Sequence, residues 1–219
     1  MTKTEKLTNL FDSWKSKFYA NDDFYKDGII NETLYESANR KLLYITKEPN
    51  AVNHEKNEDR SFVTEWNTTV PTYPFSHRIA EWTYGILNKF PVYSEAAKNA
   101  MKNEMLKKIA FMNLKKSGGT GNSEKETFAA LMKDKKHLEF IHEQISIINP
   151  ELIIFGLASW HGLVEKSFAD IVWNDDYSYH VKTGMLGTKK VINFYHPSAR
   201  NVPAASYSLL ENVMKTQGF

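Results

Sequence analysis

Four short apolar runs punctuate the chain: residues 42–46 (LLYIT), 109–113 (IAFMN), 152–156 (LIIFG) and 191–195 (VINFY). Each is rich in Ile, Val, Phe or Tyr and does not alternate with polar positions, the pattern of a strand covered on both faces. Between them the apolar residues recur at helical spacing, which predicts helices over 76–89, 94–107 and 123–148, the last stopped by Asn149-Pro150. A further helix is predicted over 159–171, and Pro203 opens one that ends near Gln217-Gly218. Strands alternating with helices predict an α/β fold, a three-layer α/β/α sandwich around a central, mainly parallel four-stranded sheet. No repeat, low-complexity tract or linker interrupts the pattern, so residues 1–219 are read as one domain.

Composition narrows the classes. Hydrophobic residues make up 42% and charged residues 25%, and mean hydropathy is −0.50. These are the values of a folded water-soluble chain rather than a membrane-spanning or disordered one. Cysteine is absent, which removes disulfides, cysteine nucleophiles, iron–sulfur clusters and Cys-type zinc sites together. The N-terminal residues lack the apolar core of a secretory signal, and a cytoplasmic monomer is expected. The net charge of +2 neither demands nor excludes nucleic acid, because the lysines fall in dispersed pairs that also suit solvated element ends. No His pair has the spacing of a zinc site with a Glu base, so a metal is not implied.

In parallel sheets ligands bind beyond the carboxyl ends of the strands. The four runs are followed by Lys47-Glu48-Pro49-Asn50, Leu114-Lys115-Lys116-Ser117-Gly118-Gly119, Leu157-Ala158-Ser159-Trp160-His161 and His196-Pro197-Ser198-Ala199-Arg200. All four tails are expected on one rim. Thr46-Lys47-Glu48-Pro49-Asn50, Phe111-Met112-Asn113-Leu114 and Tyr195-His196-Pro197-Ser198, in that order, resemble the uracil-DNA glycosylase superfamily. There a first strand ends in a polar residue before Pro, a middle strand in Asn and a last strand in His-Pro-Ser. The resemblance spans roughly residues 41–200 and implies the glycosylase fold, no cofactor and DNA as partner, with single-stranded or mismatched DNA among the candidates.

The resemblance also assigns roles. A base inside a duplex is out of reach, so such enzymes flip it into a pocket and read its Watson–Crick edge. Asn113 is the candidate reader, because an amide offers both an acceptor and a donor. Glu48 would orient the attacking water and His196 would stabilise the departing base. Phe62 is the candidate stacking ring, with Tyr73 and Phe75 as competitors, and Asn50 stands where some branches carry an aromatic that excludes thymine's methyl. Lys115, Lys116, Ser198 and Arg200 are the expected DNA contacts. The chain departs from the family at Thr46, where Gly is common, and at Glu48, where Asp or Asn is usual. Read without the resemblance, Glu48 also suits a cap or ion pair at a strand end, Asn113 a turn, and the segment through Thr120-Gly121 a solvated loop. An inactive nucleic-acid-binding module and a hydrolase of free nucleosides or nucleotides are the alternative functions.

Overall fold

Local chemistry at the helix ends accounts for where elements begin. The computed structural model describes residues 1–50, 60–69, 72–119, 125–174 and 181–219. It opens with α1 (Lys3–Phe18) behind a capping box, in which the Thr2 hydroxyl accepts from Glu5 N–H and the Glu5 carboxylate accepts from Thr2 N–H. Two short strands follow, β1 (Tyr25–Lys26) and β2 (Gly28–Ile29), then α2 (Glu32–Ser37), capped by Asn31, and β3 (Leu42–Thr46). Next come β4 (Arg60–Ser61) and α3 (Phe62–Thr68), whose cap is Ser61, and then α4 (Pro74–Leu87), started by a proline whose missing N–H costs nothing there. The chain continues through α5 (Tyr93–Ala96), α6 (Asn99–Lys107), β5 (Ala110–Asn113), α7 (Lys125–Leu131), α8 (Lys135–Ile148) and β6 (Leu152–Phe155). A 3₁₀ turn (Ala158–Trp160) leads into α9 (His161–Ser167), and β7 (Ile171–Trp173), β8 (Lys182–Leu186), β9 (Lys189–Asn193) and α10 (Pro203–Thr216) complete the order.

Three predicted helices need correction. The long one over 123–148 is divided, because the Asp134 side chain accepts from the N–H groups of Lys136 and His137 and so starts α8 afresh; Ser123 lies outside the described residues. The α8 stop falls at Asn149, in the left-handed region at φ 49°. The helix over 94–107 is split into α5 and α6. The one over 159–171 ends at Ser167, and Ile171 opens β7 instead.

Among the described residues the main sheet has seven strands, not four, in the order β2-β5-β3-β6-β9-β8-β7. The four apolar runs form its parallel centre, β5-β3-β6-β9. The strands of this sheet that the sequence reading missed, β2, β8 and β7, are antiparallel additions, β2 beside β5, β8 beside β9 and β7 beside β8, while the missed β1 and β4 pair in parallel in a two-stranded sheet of their own. Gly187 (φ 59°) turns β8 into β9, where the left-handed backbone favours glycine; pairing therefore starts at Lys189, two residues before the predicted run. Both faces of the sheet are buried. On β3, Leu43 and Ile45 enter a cluster with Trp14 of α1 and Ile141 and Ile145 of α8. Leu42 and Tyr44 enter a second cluster with Trp82 of α4, Leu106 of α6 and Leu210 of α10. This two-sided burial explains the unbroken apolar runs.

Candidate functional site at the strand tails

Strand register sets the site. Thr46 is the β-partner of Asn113, Ile45 of Phe155, and Phe155 of Asn193, so the carboxyl ends of β5, β3, β6 and β9 share one rim. The pairing of β3 with β5 continues into their tails: Leu114 N–H donates to Thr46 O, Lys115 N–H to Lys47 O and Gly119 N–H to Pro49 O, each at 2.9 Å. Asn50 bridges to Gly119 beyond them. The two loops are thus laid side by side, and they carry Glu48 to the rim.

A cavity of about 460 Å³ opens here, and Glu48, Asn50, Phe62, Asn113, His196 and Ser198 all line it. That volume is of the size used for small organic ligands. One wall is aromatic. Phe62 and Trp66, four apart on α3, stand edge-on and tilted to Phe111 at 5.2 and 4.9 Å between centroids. Phe75 packs between Phe111 and the His196 ring, at 5.7 and 5.6 Å. Tyr73 and Phe75 line the cavity as Phe62 does. Sequence reasoning missed Tyr25, Arg60, Glu65, Trp66 and Phe111. Glu65 and Trp66 follow Phe62 at helical spacings of three and four, the one signal that marks them as its neighbours on a face.

Each polar side chain has a defined setting. The Glu48 side chain is 10% exposed, with Lys47 Nζ 3.3 Å from Oε1 and Lys115 Nζ 3.2 Å from Oε2. Its place depends on Gly119, where a Cβ would land on the carboxylate. Lys47 is held over the rings of Trp160 and Phe128, at 4.5 and 4.9 Å from their centroids. Asn113 is 1% exposed; its Oδ1 accepts from the Thr46 hydroxyl at 2.7 Å, while its buried Nδ2 has no partner. At His196 the ring Nδ1 accepts from Ser198 N–H at 3.1 Å, which puts the proton of the neutral ring on Nε2. Although His196 is exposed along the cavity, the protein crowded around its ring pushes its pKa down to about 4.

The expected DNA contacts divide. Ser198 lines the cavity. Arg200 is exposed but lies outside the lining, and Lys115 is engaged by Glu48 and the Gly118 carbonyl. Lys116 is a correction: it is 0% exposed and turned away from solvent. Its Nζ donates to both Asp27 oxygens, at 2.7 and 2.8 Å, and to Gln144 Oε1 at 2.8 Å, 4.8 Å from the Trp14 ring centroid. Asp27 also accepts from Gln144 Nε2 and from the backbone N–H of Asn113, both at 2.7 Å. This buried ion pair therefore supports the strand end that carries Asn113. Burial pushes the Asp27 carboxyl up and the Lys116 ammonium down, and their mutual attraction opposes both shifts.

Among the described residues no group of three or more His, Asp or Glu is placed to hold a metal ion, and no helix is long and apolar enough to cross a membrane. No protein-family model and no curated protein matches the chain.

Proposed function

We propose that the chain is a divergent member of the uracil-DNA glycosylase superfamily that receives a base swung out of a DNA strand and hydrolyses its N-glycosidic bond. The supporting observation is convergence: Glu48, Asn113 and His196 come from three separate strand tails and line one cavity walled by aromatic rings. In the proposed reaction a water oxygen bonds to the sugar C1′ as the C1′–N bond breaks. The bonding electrons leave with the base, Glu48 accepts the water's proton, and the released base regains one. His196, neutral with Nε2–H as its donor, supplies a hydrogen bond that strengthens as charge develops on the base. The Asn113 amide holds the base edge, and Phe62 or Phe75 stacks on its face.

A second reading is favoured by one feature. Both Glu48 oxygens are ion-paired, which leaves the carboxylate engaged by two lysines and suits a module that binds an extruded base without hydrolysing it. Incubation with oligonucleotides containing a single uracil or hypoxanthine separates the two. The enzyme releases free base, and Glu48→Gln and His196→Ala each lower the rate by about 10²-fold or more. Retarded migration with no base released assigns the binding module, and unchanged rates in both variants reject the assigned roles.

A further inference from the structure

The Asn113 amide is not free to present either of its ends. Thr46 is 2% exposed, and among the described residues its hydroxyl has one hydrogen-bond partner, Asn113 Oδ1. With the amide so oriented, the hydroxyl proton and Oδ1 satisfy each other, and one group, the buried Nδ2, is left without a partner in a side chain that lines the cavity. Turning the amide over makes the hydroxyl an acceptor from Nδ2. The hydroxyl proton and Oδ1 are then both orphaned, two buried unsatisfied groups in place of one. The count favours Oδ1 toward Thr46 and N–H toward the ligand. Elsewhere in the lining the bond from Ser198 N–H to Nδ1 likewise leaves His196 with a donor, Nε2–H.

We propose that Thr46 is a positioning residue that fixes the hydrogen-bond polarity of the cavity, so that Asn113 reads a base edge carrying acceptors only. The O6/N7 edge of a 6-oxopurine is such an edge. Uracil's Watson–Crick edge is not, because it sets the N3–H donor beside O4 and needs an acceptor beside a donor, whereas Asn113 Oδ1, although it keeps a second lone pair, is turned toward Thr46. Ligands of this class also carry N1–H, for which Glu65 supplies a carboxylate on the α3 wall of the same cavity. The inference rests on the nucleobase reading of the site and deepens it by naming the substrate class.

The test measures equilibrium binding by fluorescence anisotropy. The probes are oligonucleotides bearing one 2′-fluoro-stabilised inosine, 7-deazainosine or uridine, the fluorine serving to block glycosidic cleavage. The wild-type protein binds the inosine strand about tenfold more tightly than the uridine strand, and replacing N7 by carbon removes about tenfold, the worth of one hydrogen bond. Thr46→Val, which keeps the shape but frees the amide to turn, collapses the inosine preference; Thr46→Ser retains it. Uridine bound as tightly as inosine, 7-deazainosine bound as tightly as inosine, or an intact preference in Thr46→Val each overturns the inference and leaves the nucleobase reading standing. The two wild-type comparisons decide the matter even where Thr46→Val does not fold. Failure of all three strands to bind overturns the nucleobase reading itself, and this inference with it.

Discussion

Replacing Lys116 by Met discriminates between a lysine that touches DNA and one that holds up the site. The substitution leaves the Asp27 carboxylate buried with the Asn113 N–H and Gln144 Nε2 as its remaining donors and no compensating charge. Removing one partner of a buried ion pair costs about 3–5 kcal/mol, whereas an exposed lysine changes stability by at most about 0.5 kcal/mol. At a urea m-value of about 2 kcal/mol/M, the unfolding midpoint falls by about 1.5–2.5 M. The deficit is larger at pH 8 than at pH 5. In the variant, burial holds the folded carboxyl above its unfolded pKa, so each pH step between the two values adds ionisation work in the folded state, and the penalty levels off above the folded pKa. The double variant Asp27→Asn with Lys116→Met, which removes both charges, recovers most of the loss. Urea denaturation followed by tryptophan fluorescence measures all three proteins. A Lys116→Met midpoint within 0.25 M of wild type, about 0.5 kcal/mol on the same slope, or a double variant no more stable than the single, refutes the reasoning.

Other consequences are accessible to simple measurements. The fully buried His137 ring accepts from Trp14 Nε1 at Nδ1 and donates from Nε2 to Leu114 O, and burial lowers its pKa to about 4. The unfolded imidazole, near 6.5, takes a proton that the folded one refuses. Its contribution is thus complete above pH 6.5, falls by on the order of 3 kcal/mol toward pH 4 and levels off below; a ring titration midpoint near 6.5 by NMR contradicts this. The His196 ring shows the same low midpoint, so ligand binding through Nε2–H is undiminished between pH 8 and 5, and a loss of affinity across that window counts against the neutral donor. Gly119→Ala drives a methyl group into Glu48. The expected cost is about 1–3 kcal/mol in thermal unfolding together with lowered base release, and a variant equal to wild type in both removes the case for that contact. Phe62→Ala weakens binding of a base-bearing strand by about 1–3 kcal/mol if that ring stacks the base; if affinity is unchanged while Phe75→Ala weakens it, the stacking role belongs to Phe75.

The central strands were legible because two-sided burial leaves an unambiguous trace: β3 matches residues 42–46 at both ends, and β5 and β6 fall within one residue of their runs. The edge strands were not, since β2 is two residues long and β8 mixes Lys182, Thr183 and Gly184 into its ladder. The first helix was missed although it carries a capping box, whose Thr2 and Glu5 stand three apart. Lys116 was misplaced for a different reason. A lysine beside Lys115, ahead of two glycines, has the local appearance of a solvated loop, and what buries it are Asp27 and Gln144, 89 and 28 residues away.

By its own order of residues the chain determined which runs form the parallel centre of the sheet and that their polar tails, with Glu48, Asn113 and His196, lie at the strand ends where such sheets bind ligands. Those features follow from local periodicity and from the direction of the strands. The tertiary structure decided what the residues can do there: that Thr46 engages the Asn113 carbonyl, that two lysines clamp Glu48, and that Ser198 orients the His196 ring. Hydrogen bonds and ion pairs depend on distances of a few ångströms between groups, and for all but the neighbouring contacts, such as Lys47 with Glu48 and Ser198 with His196, only the register of folded strands brings the partners together.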